Sequence, residues 1–246
     1  MRVKISPFDL AATAVFTALV CVVTMIFSIN VPATQGFFNI GESMVYLSAL
    51  LFGPVVGAFA GGVGSMLADL LLGFPYYAPA TLIVKACEGA MVGMLKKRNP
   101  KLSSKLKWKL LTLILGIVAG SLLGYIGAVY YSGDVALTLG WGTFNFYIPA
   151  EFWIFAGAAT ALSIAVTGYV LDPHFGWIIF SVIIGGFCMV SGYFLYEWLL
   201  IYPLFKIEAV AVAEIPINLG QMIIGTVVAL PIAKVVWRAF PYLKEK

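Results

Sequence analysis

Six ionisable side chains stand inside long apolar stretches of this chain: Asp69, Lys85, Glu88, Glu151, Glu197 and Glu214. Asn218 and Gln221 are uncharged companions of the last one. An ionisable group among apolar residues of a membrane segment is costly, so its first reading is functional. Lys85 and Glu88, three apart, share a helix face and can pair. Glu214, Asn218 and Gln221 follow one another at spacings of four and three, again on one face. Carboxylates, an amine and carboxamides in such an arrangement hold a small polar molecule, or act as acid and base. Each has a plainer reading too: a structural ion pair for Lys85 and Glu88, and snorkelling to the interface for Glu151 and Glu197.

Other chemistries have no residues to carry them. No G-x-x-x-x-G-K-[ST] loop occurs, so ATP hydrolysis by that route is excluded. Gly61-Gly62-Val63-Gly64 lies in an apolar helical stretch, where close packing explains it better than phosphate binding. There is no H-E-x-x-H, and the single histidine, His174, falls in the turn 172–176. No metal site, no cofactor and no Ser/His/Asp arrangement is expected. Cys21, Cys87 and Cys188 lack metal spacing and read as small core residues.

The elements that position the polar residues must be membrane helices. Of 246 residues, 62% are apolar and 11% charged, and the mean hydropathy is +1.01. A soluble domain averages about 45–50% apolar and about 25% charged. This chain has too little polar surface to coat a globule, and too much apolar surface for disorder. Long apolar runs rather than alternation argue against a barrel. The patterning predicts eight helices, over 8–29, 41–53, 54–73, 79–95, 110–131, 149–171, 177–199 and 214–237. The stretch 41–73 would make one helix of ~50 Å against a ~30 Å hydrocarbon core, so it is divided at Gly53-Pro54. Arg2 and Lys4 before the first stretch resemble a signal peptide. No convincing small-residue cleavage site follows, so it is kept as span one.

Seven of the fifteen basic residues lie between Lys96 and Lys109. Beside membrane spans such a run is a cytoplasmic loop rather than a nucleic-acid patch. Two spans over 41–73 put it inside. Both termini are then cytoplasmic, with Lys234, Arg238, Lys244 and Lys246 at the inner end. The expected location is the cell membrane, in one transmembrane domain spanning 1–246. Most polar residues then gather toward the outer face, which suggests a pocket open outward and closed below. The outer loops add Gln35, Phe38, Asn39, Tyr76 and Tyr77 as an aromatic, hydrogen-bonding lid, although tyrosines there also suit the interfacial belt.

Small residues recur at spacing four: Ala14 and Ala18; Gly53, Gly57, Gly61 and Ser65; Gly116, Gly120, Gly124 and Ala128; Gly225, Ala229 and Ala233. Such stripes let helices approach closely, and packing within the chain is the commoner use. The two halves show no obvious inverted repeat, which weakens a secondary-transporter reading.

The run Phe38-Asn-Ile-Gly-Glu-Ser-Met-Val-Tyr-Leu47, then Leu51-Phe-Gly-Pro-Val-Val-Gly57, Gly61–Asp69, Ala78–Lys85 and Glu88-Gly89 resembles the substrate-binding S components of energy-coupling factor (ECF) transporters. Within them it is most similar to the riboflavin-transporter type. Gly192-Tyr-Phe-Leu-Tyr-Glu-Trp198 and Ala213-Glu-Ile-Pro-Ile-Asn218 with Gln221 agree with it. The resemblance covers about 1–98 and 177–240.

The resemblance implies an all-α polytopic protein with a six-helix core, here carrying an extra helical hairpin over 110–171 with an outer loop from Ser132 to Tyr147. It implies capture of a vitamin or vitamin precursor from outside, riboflavin being the leading candidate, and no enzymatic activity. It implies docking on one transmembrane coupling subunit and two ATPases, which accounts for the missing P-loop. Ala14 and Ala18 match the alanine motif that meets the coupling subunit, and 35–39 matches the loop that closes the site. The expected substrate-binding set is Gln35, Phe38, Asn39, Asp69, Tyr76, Tyr77, Lys85, Glu88, Tyr193, Glu197, Glu214, Asn218 and Gln221. Two rivals stand beside it: an intramembrane enzyme using Glu88 or Glu197, and a stand-alone facilitator.

Overall fold

The computed structural model describes residues 6–31, 35–98, 105–130, 132–139, 142–170, 173–207 and 211–244. The chain divides into two compact units, Met1–Asn99 with Trp177–Lys246, and Pro100–Gly176.

The first unit opens with α1 (Pro7–Ile26), whose start is written in the sequence. Ser6 caps it: the Asp9 amide donates to Ser6 Oγ at 3.1 Å, and the Ser6 amide donates back to Asp9 Oδ2 at 3.1 Å. The helix stops at Ile26, earlier than the expected 29. Instead of an irregular loop, β1 (Ser28–Val31) and β2 (Gly36–Asn39) pair antiparallel, with Ser28 opposite Asn39. Pro32, expected to end the first helix, lies outside the described residues. Then come α2 (Glu42–Phe52), α3 (Pro54–Leu72) and α4 (Ala78–Lys97). The expected break falls at Gly53, which has φ +85°, a conformation glycine adopts freely, and Pro54 opens α3 at its first position.

After α4 the unit continues with α7 (Pro173–Tyr196). Since α7 begins at Pro173, His174 sits in a helix rather than a turn. A π-helical turn, Glu197–Ile201, leads into the short α8 (Tyr202–Phe205). Pro203 gives this widening a cause. It has no N–H for the Leu199 carbonyl four residues back, and its ring crowds that carbonyl. The last long helix, α9 (Ala211–Ala239), starts three residues earlier than expected, so Pro216 lies beyond its first turn.

The second unit is α5 (Lys105–Tyr130), β3 (Gly133–Leu139), β4 (Gly142–Ile148) and α6 (Ala150–Val170). Its expected loop is a strand pair in which Gly133 faces Ile148. Helix α5 starts at Lys105, not 110, so three basic residues of the expected loop belong to its first turns. Residues 99–104 lie outside the described part.

Among the described residues, six helices are long and apolar enough to cross a membrane: α1, α3, α4, α5, the combined span Phe175–Phe205, and α9; Glu42–Phe52 and Ala150–Val166 are shorter apolar stretches. The chain is thus an all-α polytopic membrane protein, with two small strand pairs the sequence reading did not include.

The small-residue stripes explain how the helices fit. A Cβ on Gly57 would meet the Ala49 Cβ at 2.6 Å and the Gly89 carbonyl at 2.8 Å, and one on Gly89 would strike the Gly57 carbonyl. Helices α3 and α4 therefore cross backbone to backbone. Gly225 lies against Glu42 and Tyr46, and Ala229 and Ala233 are buried. Within the second unit, Gly116 faces the Ala161 carbonyl and Gly120 the Gly157 carbonyl, which runs α5 antiparallel to α6. The α1 pair differs, because Ala14 and Ala18 are both exposed.

Substituting Gly89→Val should therefore cost about 1–3 kcal/mol or more by overpacking, whereas Ala14→Leu should stay within about 0.5 kcal/mol of the parent. Unfolding in detergent by graded denaturant or heat distinguishes the two.

Candidate functional site

The polar residues of the first unit converge because five helices, α2, α3, α4, α7 and α9, bring them together. Lys85 on α4 is buried between two carboxylates. It pairs with Glu42 on α2, and its Nζ is 3.2 Å from Glu88 Oε2 one turn along. The Tyr46 hydroxyl donates to the other Glu88 oxygen at 3.0 Å. A lone ammonium here would be untenable, and two carboxylates and a tyrosine make it tenable. Glu42 was not among the expected site residues. The available signal was that no other acid or base occurs between 41 and 68.

Next to Lys85 opens a cleft whose enclosed space is about 30 Å³. Its floor and walls are Lys85, Asp69 and Ser65 on α3, Thr81 on α4, Tyr193 on α7, and Glu214, Asn218 and Gln221 on α9. Phe37 and Asn39 of β2 and Tyr77 complete it. The Tyr193 hydroxyl donates to Thr81 Oγ1 at 3.0 Å, and Thr81 bonds Asp69. Lys85 Nζ stands 5.7 Å from the Tyr193 ring centre. Among the buried polar atoms with no hydrogen-bond partner among the described residues are Glu42 Oε1, Asp69 Oδ2, Glu197 Oε2 and Asn218 Nδ2.

The β1–β2 pair lies over this cleft and is latched at two places. At one, the Asn39 amide and side-chain nitrogen donate to Gln221 Oε1 at 3.2 and 2.5 Å. Gln221 in turn donates to Asn218 Oδ1 at 2.7 Å. At the other, the Tyr76 hydroxyl donates to the Gln35 carbonyl at 2.6 Å, and the Tyr76 carbonyl accepts from the Tyr196 hydroxyl. The Phe37 and Phe74 rings, 4.9 Å apart, add an apolar contact.

Eight of the thirteen expected site residues line the cleft: Asn39, Asp69, Tyr77, Lys85, Tyr193, Glu214, Asn218 and Gln221. Five do not. Glu88 is fully buried behind Lys85. Glu197, at the start of the π-helical turn, accepts from the Tyr77 hydroxyl at 2.7 Å. Burial and the Glu197 charge push the Tyr77 phenol well above its ordinary range, so it stays protonated and keeps donating. Gln35 and Tyr76 form the second latch, and Phe38 packs toward Gly220. Glu151 belongs to the second unit and is exposed.

The model of the ECF-type riboflavin transporter S component family matches residues 4–174. The chain belongs to that family. The matched stretch of the S component runs through α1–α4 and on through α5 and α6. Residues 192–198 and 213–221 lie outside it, yet α7 and α9 share the compact unit of α1–α4. An uncharacterised protein of Pyrococcus woesei, described as in the gap 3' region, is 46% identical over 45% of this chain and 71% of its own. A thiamine precursor transporter, HmpT, of Lactococcus lactis subsp. cremoris is 29% identical over 54% of this chain and 70% of its own. A UPF0397 protein of Streptococcus pneumoniae is 25% identical over 70% of this chain and 91% of its own.

Removing Lys85 strands two buried carboxylates, so Lys85→Met should cost about 3–5 kcal/mol. The Glu42→Gln/Lys85→Met double variant should be more stable than Lys85→Met alone, in a double-mutant cycle of detergent unfolding. Additive losses would mean the pair is not coupled.

Proposed function

We propose that this S component captures a vitamin or vitamin precursor from outside the cell and delivers it through a separate coupling subunit and two ATPases. The observation that carries the reading is a buried polar cleft roofed by a latched two-stranded lid. Aromatic walls with a few convergent polar groups suit a small heterocycle. Lid opening breaks a few hydrogen bonds at Gln221 and Tyr76, and leaves the packed helices below unchanged.

Riboflavin is the ligand in the family's name, and a thiamine precursor is the ligand in one relative's name. Both are heterocycles of the required class. The exposed Ala14 and Ala18 offer a coupling subunit a smooth helix face on which backbones can approach closely. The basic residues from Lys96 to Lys109 and from Lys234 onward support cytoplasmic placement of both termini. The cleft, in this reading, is open to the outer side.

Purified protein should bind its vitamin without ATP. Riboflavin, thiamine and other vitamins, tested by thermal shift and native mass spectrometry with none bound, would contradict the proposal. Ala14→Trp/Ala18→Trp should reduce ATP-driven uptake more than about tenfold (~1.4 kcal/mol of coupling) while leaving the ligand's Kd unchanged. Loss of binding in that variant would make the stripe part of the fold's own packing. Uptake by vesicles lacking any coupling module would favour a facilitator, and chemical turnover of the ligand an enzyme.

A further inference from the structure

Helix α4 carries two buried lysines in opposite circumstances. Lys85 is held between Glu42 and Glu88. Lys96 lies about 16 Å further along the same helix, in its last turn. It is only 7% exposed, and its Nζ is buried with no hydrogen-bond partner among the described residues. The charges that act on it are those of Lys97 and Lys244, both of its own sign. A buried ammonium in that position is costly. The negative end of the α4 dipole offsets part of the cost, as does the face of the Trp237 ring, whose centre is 5.8 Å from Nζ. Neither gives the ammonium an oxygen to donate to.

Trp237 adds a second observation. It lies in the last turn of α9, and its indole Nε1 is also buried without a hydrogen-bond partner among the described residues. An indole nitrogen only donates, as an ammonium does. Two unsatisfied buried donors thus share one aromatic contact, at the basic ends of two helices long enough to span a membrane. Lys244 brings a further cation from the short turn Pro241–Lys244 that follows α9. Donors without acceptors, and charge of one sign, describe a site for an anion with several oxygens, which is the chemistry of a phosphate group.

The occupant follows from the depth. Both helices end where the headgroups of a bilayer stand, and the chain leaves Val235, Phe240 and Tyr242 exposed at that end. Apolar and aromatic side chains at that level meet acyl chains and headgroups. Lys97 and Lys244 are exposed and within electrostatic reach of Lys96, so its ammonium lies near the surface, and its flexible stem can carry it there. We propose that the basic ends of α4 and α9 bind the phosphate of an anionic phospholipid, with Lys96 Nζ and the Trp237 N–H donating to its oxygens and Lys97 and Lys244 adding charge. Charge of one sign favours a net-negative lipid over a zwitterionic one. The site is separate from the cleft and does not depend on the capture reading.

Native mass spectrometry of the full-length protein in detergent tests this, with dioleoyl phosphatidylglycerol, dioleoyl phosphatidylcholine and inorganic phosphate as probes. Phosphatidylglycerol should bind at least about tenfold tighter than either of the others. Lys96→Met should erase that preference, and its unfolding temperature in lipid-free detergent checks that it is folded. Trp237→Phe, which removes the indole N–H and keeps a ring, should weaken phosphatidylglycerol severalfold and provides the test should Lys96→Met not fold. Arg98→Gln, which removes an exposed cation from the same end of α4, should cost far less. Equal binding of the two lipids would overturn the proposal. Inorganic phosphate binding as tightly as phosphatidylglycerol would make this an ion site and overturn the lipid assignment. A folded Lys96→Met or Trp237→Phe variant that binds as the parent does would overturn it too. So would an Arg98→Gln variant that loses the preference as fully as Lys96→Met, because diffuse surface charge would then account for the binding.

Discussion

The ion triad of Lys85 with Glu42 and Glu88 is the constraint on which the first unit depends. Two carboxylates and an ammonium, all buried, cannot be left singly in an apolar interior. Satisfying them fixes the rotation of α2 and α4 about their axes and the depth at which they meet. That same rotation places Thr81 and Lys85 on one wall, and Tyr46 against Glu88. The glycines make the geometry attainable. Gly57 against Gly89 and Gly225 against Glu42 and Tyr46 let the backbones come close enough for short side chains to reach one another.

Beyond the triad, three more acids, Asp69, Glu197 and Glu214, are buried in the same unit. Asp69 and Glu214 line the same cavity, and Glu197 stands outside it, against Tyr77. Tyr77 donates to Glu197, while Tyr193 reaches Asp69 only through Thr81. A cavity so lined is poorly matched to apolar filling and well matched to a polar guest. The lid follows the same economy, since its latches are side-chain and backbone hydrogen bonds at its rim rather than a packed core.

Much of this was legible in the sequence, for physical reasons specific to each residue. Lys85 and Glu88 at spacing three, and Glu214, Asn218 and Gln221 at four and three, share faces because the helical period dictates it. Gly53-Pro54 had to break a stretch too long for one span. Glu42 was missed because an acid in a helix's first turn beside a polar loop is ordinary. Its partner lies 43 residues away and is reached only through tertiary packing. The β1–β2 pair was missed because four-residue strands carry little pattern. The stretch 142–148, with Thr143, Phe144, Phe146, Tyr147 and Ile148, did carry the β-branched and aromatic signature of a strand. The division of labour between Lys85, which lines the cleft, and Glu88, which stands behind it, depends on side-chain direction and is not readable from spacing.

The account comes down to whether a small molecule sits between β2 and the acids of α3 and α9. A crystal or cryo-electron-microscopy structure of the protein prepared with a saturating vitamin that it binds measures this most directly. The account predicts ligand density among Phe37, Tyr193 and the polar residues that line this cleft. Density elsewhere on the protein, with this cleft empty and its carboxylates paired to protein groups, would contradict it.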